Sequence, residues 1–146
     1  MINYTKLISR TFGLFKNIPF LPILIDEQLK ILTLFTRPGV FSSMIELNKW
    51  IKTLDNIKTK YHKYGGLEFT INSKEICHIH GDGLVDVKLN TILKGRYLLK
   101  AGVEPHHEHP KSNMISYQLK SNDSLKLIKA IIYDAYNIRS CSGHKN

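Results

Sequence analysis

The sequence predicts an α+β protein in which an antiparallel sheet of about four or five strands packs with N-terminal helices and a C-terminal helix. Three observations predict this class. Apolar residues recur at helical spacing in the first third, short alternating segments follow Asp55, and a helical stripe returns near the end. With 146 residues, 42% of them hydrophobic, the chain has the size of one domain, so we expect a single domain over residues 1–146.

Three helices are predicted in an N-terminal part that covers residues 1–55. The first runs from Tyr4 to Phe15. The second runs from Asp26 to Phe35, where "TRPG" ends it because proline does not continue a helix. The third starts at a capping residue, Ser42 or Ser43, and continues towards Leu54.

The part from residue 56 to 137 is predicted to hold the sheet. The short segments "IKTKYHKY", "LEFTI", "EICHIH" and "LVDVKL" are separated by turn-forming Gly, Asn, Ser and Asp residues. A helix from Asn90 to Ala101 and a strand at "NMISYQL" follow. A last helix begins at a cap among Ser121, Asn122 and Asp123, and carries an apolar stripe to Ala135. Residues 138–146 are predicted to form a polar tail.

Composition limits the class of function. The formal net charge is +9, but the lysines are spread along the chain without a dense basic block interleaved with aromatic residues, so we do not expect nucleic acid as a partner. No apolar run reaches the roughly 18 residues that a membrane span needs, so we expect no membrane partner. Two cysteines do not make a disulfide framework, and we expect a cytoplasmic location.

Histidines cluster in two segments, "EICHIHGDG" and "EPHHEHP", which hold five of the seven in the chain. If the first segment is extended, His78 and His80 face one side of a strand and Cys77 faces the other. The same alternation in "HHEH" aligns His107 with His109, and leaves His106 opposite with Glu108. We interpret the cluster as a functional site, because structural roles rarely use so many imidazoles, each with two ring nitrogens to satisfy.

Two chemistries fit these histidines. Imidazole nitrogens from both segments could bind a first-row metal, with oxygen ligands drawn from Asp82, Asp86, Glu104 and Glu108. A metal-free pocket could instead use an imidazole as a general base near neutral pH. We adopt the second interpretation, with no metal and no cofactor. Cys77 is expected to pack inward rather than to act as a nucleophile.

Three further candidate site residues are Asp82, Ser112 and Tyr117. Gly81 and Gly83 are expected to allow a positive-φ turn in which Asp82 accepts backbone hydrogen bonds. Ser112 lacks the surroundings of a nucleophile elbow and is more typical of a turn. Tyr117 either lines the pocket or faces the core, and the pattern does not separate these alternatives.

Taken together, "YGGLEFTINSKEICHIHGDGLVDVKL" and "AGVEPHHEHPKSNMISYQLKSNDSLKLIKAIIYDAYN" resemble the luciferase-domain family, which is named after the fungal luciferases. The matching pieces, in the family's order, are Gly65–Phe69, Glu75–Gly83, Asp86, His106–His107, Pro110–Ser112, a strand ending near Tyr117, and a helix reaching Tyr136. One departure is Asn113-Met114, where the family pattern has Gly-Trp. The resemblance implies a shared scaffold and pocket, and the fungal luciferases are similar to cofactor-independent oxygenases that add O₂ to an acidic hydroxypyrone.

The sequence therefore predicts a histidine-rich pocket for a small-molecule ligand or substrate, with O₂ as a second partner in an oxygenase-type reaction on an acidic enolic substrate. The predicted catalytic residues are His78, His80 and His107, with His78 or His80 as the favoured base. The predicted substrate-binding residues are Asp82, Asp86, His106, His109, Ser112 and Tyr117. Two alternatives stay open, a non-catalytic binding or interaction module and a metal-dependent enzyme.

Overall fold

The structure, a computed structural model, describes residues 20–120 and 125–141. The helix predicted at Tyr4–Phe15 and the predicted caps Ser121, Asn122 and Asp123 lie outside the described residues. Within these ranges the chain forms four helices and one six-stranded sheet. The helices are α1 (Leu21–Thr36), α2 (Pro38–Ile51), α3 (Thr91–Tyr97) and α4 (Leu125–Cys141), and the strands are β1 (Lys58–Tyr61), β2 (Leu67–Ile71), β3 (Lys74–Ile79), β4 (Leu84–Lys88), β5 (Val103–Pro105) and β6 (Met114–Gln118). The α+β prediction is confirmed.

The strands lie in the order β1-β2-β3-β4-β6-β5, and each neighbouring pair is antiparallel. All five predicted strands are present. The sixth, β5, was missed because its three residues are too few to show an alternating pattern. It lies at the edge of the sheet, beside β6.

One face of the sheet packs against α4 and α2 to form the core. The apolar stripe predicted for the last helix is the buried face of α4, with Ile128, Ile131 and Ile132 fully buried. Phe69, Val85 and Ile115 meet it from the sheet, and α2 adds Leu47 and Ile51. The opposite face of the sheet carries the polar side chains described below.

The two N-terminal helices begin earlier than predicted. α1 starts at Leu21 rather than Asp26, with Pro22 in its first turn, where a helix does not need the missing N–H group. It ends at Thr36 as expected, since Arg37 precedes a proline and leaves the helical conformation. α2 then starts at Pro38 rather than at Ser42 or Ser43. Ser43 is not a cap, because its hydroxyl donates to the carbonyl of Gly39 inside the helix.

The helix predicted over Asn90–Ala101 is confirmed in a shorter form, α3. Asn90 is its N-cap, and the side-chain oxygen accepts a hydrogen bond from the backbone N–H of Leu93 at 2.8 Å. No helix in the described residues is long and apolar enough to cross a membrane.

Candidate functional site

A row of polar residues crosses the face of the sheet that is turned away from α4. Residues that are paired directly across antiparallel strands share a face, and the register joins one residue from each strand. The row consists of Lys60, Glu68, His78, Asp86, Ser116 and Glu104. It runs from the exposed Lys60, which forms an ion pair of 3.2 Å with the buried Glu68, into a buried centre at His78 and Asp86.

A β-bulge in β3 brings an additional carboxylate to this face. Phe69 pairs with Cys77 and Thr70 pairs with Glu75, so Ile76 is an extra residue with no partner on β2. In a regular strand Glu75 and His78 would face opposite sides, because they are three residues apart. The bulge places them together, and Glu75 Oε1 lies 2.6 Å from His78 Nδ1.

Asp86 is the centre of the site. It is fully buried, and its Oδ2 atom lies 3.1 Å from His78 Nε2 and 3.2 Å from His80 Nε2. The Ser116 hydroxyl donates to the other oxygen, Oδ1. His78 and His80 are only 3% and 5% exposed, so one buried carboxylate joins two buried imidazoles. The prediction that these two histidines share a face is confirmed.

Helix α1 supplies a third carboxylate. Asp26 is buried, its Oδ1 atom accepts a hydrogen bond from the backbone N–H of Gly81 at 2.8 Å, and the same oxygen lies 3.5 Å from His80 Nδ1. His80 is therefore held between Asp26 and Asp86 in the same way that His78 is held between Glu75 and Asp86.

Two loops bring the remaining histidines of the described residues to the same centre. His62, just after β1, stacks on His78 with ring centroids 4.2 Å apart. From the loop between β5 and β6, His106 approaches Asp86 Oδ2 with its Nε2 at 3.7 Å and stacks against both His107 and His109. His107 also meets the ring of His80 edge to face, at 6.3 Å.

The alternation predicted for "HHEH" is wrong. β5 ends at Pro105, and the chain then turns, because the backbone N–H groups of Glu108 and His109 both donate to His106 Nδ1, at 3.2 and 3.1 Å. His106 consequently points into the cluster instead of away from it, and its buried ring contrasts with the exposed His109.

Charge in the centre is set by burial and by the paired carboxylates. Burial alone lowers the pKa of His80, but its contacts with Asp26 and Asp86 outweigh this effect and raise the pKa to about 10. The pKa of His78 is likewise raised against the effect of burial, by Asp86 and Glu75. Burial opposes ionisation of Asp86, yet hydrogen bonds from both histidines hold the pKa of its carboxyl well below the usual range.

The flanking histidines behave in the opposite way. Burial is the main cause that lowers the pKa of His106 to about 4, and the nearby Asp86 only partly opposes it. Burial, together with the neighbouring His78, lowers the pKa of His62 to about 4. The neutral imidazoles of His62 and His106 therefore flank His78 and His80, whose ring nitrogens are paired with carboxylates.

Three residues predicted to bind substrate lie apart from this centre. Asp82 is buried in the β3–β4 turn and accepts a hydrogen bond from the N–H of Leu84, as expected for a turn residue. The Ser112 hydroxyl donates to the carbonyl of His109. Tyr117 pairs with Val85 and belongs to the core face. Cys77 is also in the core, where burial raises the pKa of its thiol.

Sequence reasoning missed His62, Asp26 and Glu75. His62 and Asp26 come from segments far along the chain from "EICHIHGDG", and only tertiary packing brings them to it. Glu75 was missed because only the bulge places it on the same face as His78, and an alternating sequence pattern does not reveal a bulge. Its three-residue spacing from His78 was nevertheless visible in the quoted motif.

These features define an α+β protein with one buried histidine–carboxylate centre on the polar face of an antiparallel sheet. Residues 73–135 match the family model described as Luciferase domain, in agreement with the resemblance of the sequence to the luciferase-domain family. The match covers β3, β4, β5 and β6, and thus His78, His80, Asp86 and the three histidines of the β5–β6 loop. No curated protein and no solved structure matches the chain.

Proposed function

We propose that this luciferase-domain-like protein is a small-molecule enzyme of the oxygenase type, which acts on an acidic enolic substrate at the histidine–carboxylate centre. One observation carries the proposal. Six imidazoles and the carboxylates of Asp26, Glu75 and Asp86 are joined by contacts into one cluster, which extends from the buried Asp86 to the exposed His109. Titratable groups in such density are typical of sites that move protons or stabilise charge.

The arrangement supports a division of roles. His78 and His80 have carboxylates at both ring nitrogens, so they are poor bases for a substrate and better suited to holding positive charge beside it. His107 is only partly buried and lies next to His80, and it is the better placed of the predicted catalytic residues to accept a proton. This assignment moves the base from His78 or His80 to His107.

In the proposed reaction, His107 takes the proton of the enolic hydroxyl, and the positive charge at His78 and His80 stabilises the resulting enolate. The electron-rich carbon of the enolate forms a C–O bond to O₂. The substrate is thereby oxidised by two electrons, and the O₂ unit is reduced to the peroxide level. The proton held by His107 returns to the terminal oxygen, so substrate and O₂ together give one hydroperoxide.

Oxygen uptake tests this proposal. We expect the full chain to consume O₂ with hydroxypyrone or catechol-like substrates, and the His80→Ala and His107→Ala double variant to lose at least about 100-fold in rate, since general acid–base groups contribute about that much or more. Circular dichroism would establish that the variant is folded. Equal uptake by the folded double variant and the wild type would rule out the assignment.

A second candidate function, a non-catalytic interaction module, is favoured by the outer side of α1. This helix buries Asp26, Leu29 and Thr33. The large apolar side chains that it and its N-cap expose are Phe20, Leu24, Ile31, Leu32, Leu34 and Phe35, and Phe35 is 78% exposed. An exposed apolar stripe is typical of an interface.

The occupant that we propose for this stripe is a second copy of the chain, which would bury the same stripe symmetrically. We expect sedimentation velocity to show a dimer whose fraction rises with concentration, and the Leu24→Lys and Phe35→Lys double variant to be monomeric. Gln28→Lys, an exposed position on the same helix, is the matched control for added charge. A monomeric wild type at all concentrations would remove this candidate.

A further inference from the structure

We propose that His78, His80 and Asp86 form a binding site for one divalent first-row metal ion, with iron(II) as the preferred ion. The sequence alone led us to expect no metal, and the geometry of the centre leads to the opposite inference. The proposal deepens the role given above to the centre, because in the metal-loaded protein the ion carries the positive charge that protonated His78 and His80 would otherwise supply. The catalytic use of the metal rests on the proposed function, whereas the metal site rests on geometry alone.

The first argument is the convergence of three donor atoms. His78, His80 and Asp86 each offer one donor atom, and these three atoms all lie within 4.8 Å of one another. Two donors bound to one ion at about 2.1 Å, with an angle of about 90° to 110° between them, are about 3.0 to 3.5 Å apart. The distances from Asp86 Oδ2 to His78 Nε2 and His80 Nε2, 3.1 and 3.2 Å, fall in this range.

The second argument is the position of the outer ring nitrogens. Metal-binding histidines usually donate the other ring N–H to a carboxylate, which fixes the tautomer and leaves the inner nitrogen as the ligand. His78 meets this pattern with Glu75 at 2.6 Å, and His80 has Asp26 at 3.5 Å on the same side of its ring. The Ser116 hydroxyl holds the second oxygen of Asp86, so all three proposed ligands have outer partners.

The third argument separates the ligands from their neighbour His106. Its Nδ1 accepts two backbone N–H groups, so in the neutral ring the proton is on Nε2. Its Nε2 lies 3.7 Å from Asp86 Oδ2, and in this tautomer the nitrogen has no lone pair for an ion. The remaining set, two imidazoles and one carboxylate, is the donor set of non-haem iron(II) oxygenases, in which further coordination positions stay open.

Charge balance favours a divalent ion. Carboxylates from Asp26, Glu75 and Asp86 face the two imidazoles in a buried environment, where unpaired negative charge is costly. An ion of charge +2 supplies the compensating charge while both imidazoles are neutral, which is the state that binds metal.

The test uses full-length protein without a His-tag, treated with a chelator and dialysed anaerobically against iron(II), with zinc(II) and manganese(II) in parallel. We expect about one equivalent of iron(II) per chain and a rise in the thermal unfolding midpoint, since the ion binds the folded state. We expect Asp86→Asn and His80→Gln to abolish this binding. Because Glu75 orients a ligand, Glu75→Gln should weaken binding by about 10- to 100-fold.

Glu46→Gln is the matched control, because Glu46 is an exposed carboxylate on α2 that pairs with Lys129 and is not a candidate ligand. It should bind iron(II) as the wild type does. No saturable binding of any of the three ions by folded wild-type protein would overturn the proposal, as would binding that survives in folded His80→Gln. If Asp86→Asn does not fold, His80→Gln and Glu75→Gln still decide the question.

Failure of the metal site and failure of the proposed function give different results. Oxygen uptake by wild-type protein that binds none of the three ions would overturn the metal site and leave the oxygenase proposal standing. Saturable iron(II) binding without oxygen uptake on any acidic enol would support the site and count against the oxygenase.

Discussion

At the scale of single residues, the fold depends on keeping Asp86 charged in a fully buried position. A lone buried carboxylate is so unfavourable that it takes up a proton instead. Asp86 avoids this through three partners: His78 on β3, His80 just after β3, and Ser116 on β6. The polar face of the sheet is therefore a connected network, and removal of its central member affects every neighbour.

We expect Asp86→Ala to lower the free energy of unfolding by about 3 to 5 kcal/mol in the presence of a chelator, because two buried imidazoles lose their shared partner. Urea unfolding followed by circular dichroism measures this value. Lys60→Ala, at the exposed end of the same row, should cost less than about 1 kcal/mol. Similar losses in both variants would contradict the central role of Asp86.

At the scale of elements, the β3–β4 turn fits against α1 at Gly81. A Cβ atom at this position would overlap the carbonyl oxygen of Asp26 and lie 2.7 Å from the backbone nitrogen of Lys30. The close approach lets the Gly81 N–H reach Asp26, which in turn contacts His80. Glycine is thus required here by backbone contact, whereas Gly83 supplies the positive φ of the turn.

We expect Gly81→Ala to destabilise the fold by more than about 2 kcal/mol, because overlap with backbone cannot be relieved by a side-chain movement. Gly95→Ala in α3 should instead stabilise the protein, by about 0.5 to 1 kcal/mol, since no atom lies within 4 Å of its added methyl and alanine favours helix. Chemical denaturation of the two variants provides the comparison. A neutral Gly81→Ala would contradict the described packing of α1 on the turn.

Helices α3 and α4 are joined by a hydrogen bond from the Tyr97 hydroxyl to Asp134 Oδ2 at 2.7 Å. Burial and Asp134 raise the pKa of Tyr97 to about 12, with Arg96 opposing. In the unfolded chain the phenol loses its proton near pH 10. The stabilisation is thus complete below about pH 10 and is lost as the pH rises towards 12.

Tyr97→Phe should accordingly cost about 1 to 2 kcal/mol at pH 8. The difference in unfolding free energy between the variant and the wild type should shrink between about pH 10 and 12. Denaturation series at several pH values measure both effects. If this difference in unfolding free energy does not change between about pH 10 and 12, the Tyr97–Asp134 hydrogen bond is not the cause of the stabilisation.

At the scale of the whole molecule, the sequence predicted the layers of the fold because these depend on repeating patterns. Period-2 segments located five strands, and a 3.6-residue stripe identified the face of α4 that contacts them. The shared face of His78 and His80 followed from the same rule. Of the site residues, His78, His80 and the nearby Asp86 could therefore be predicted from local pattern.

What the sequence did not predict depends on backbone irregularity or on distance along the chain. The turn of the β5–β6 loop follows from hydrogen bonds to one imidazole, and so His106 was assigned to the wrong side. Asp26 reaches the site through the packing of α1, and His62 reaches it by stacking its ring on that of His78. Tyr117 was left open between pocket and core, and its register with Val85 places it in the core.

The stability of the whole fold depends on α4, which covers the centre of the sheet. We expect Ile132→Ala to lower the free energy of unfolding by about 2 to 5 kcal/mol, because a fully buried side chain leaves a cavity. Lys126→Ala, exposed on the same helix, should change it by less than about 0.5 kcal/mol. Thermal or urea unfolding makes the comparison, and a small effect of Ile132→Ala would contradict the position of α4.

The unpaired Ile76 in β3 has a consequence for how the gene for this domain can change. Loss of its one codon would leave Glu75 two residues before His78, so regular pleating would keep both side chains on the polar face of the sheet without a bulge. Point substitution at position 76 keeps the count of residues and hence the side on which Glu75 lies. Both an apolar substitution and an in-frame deletion at this position should therefore keep Glu75 beside His78, and the deletion should cost mainly the burial of the Ile76 side chain.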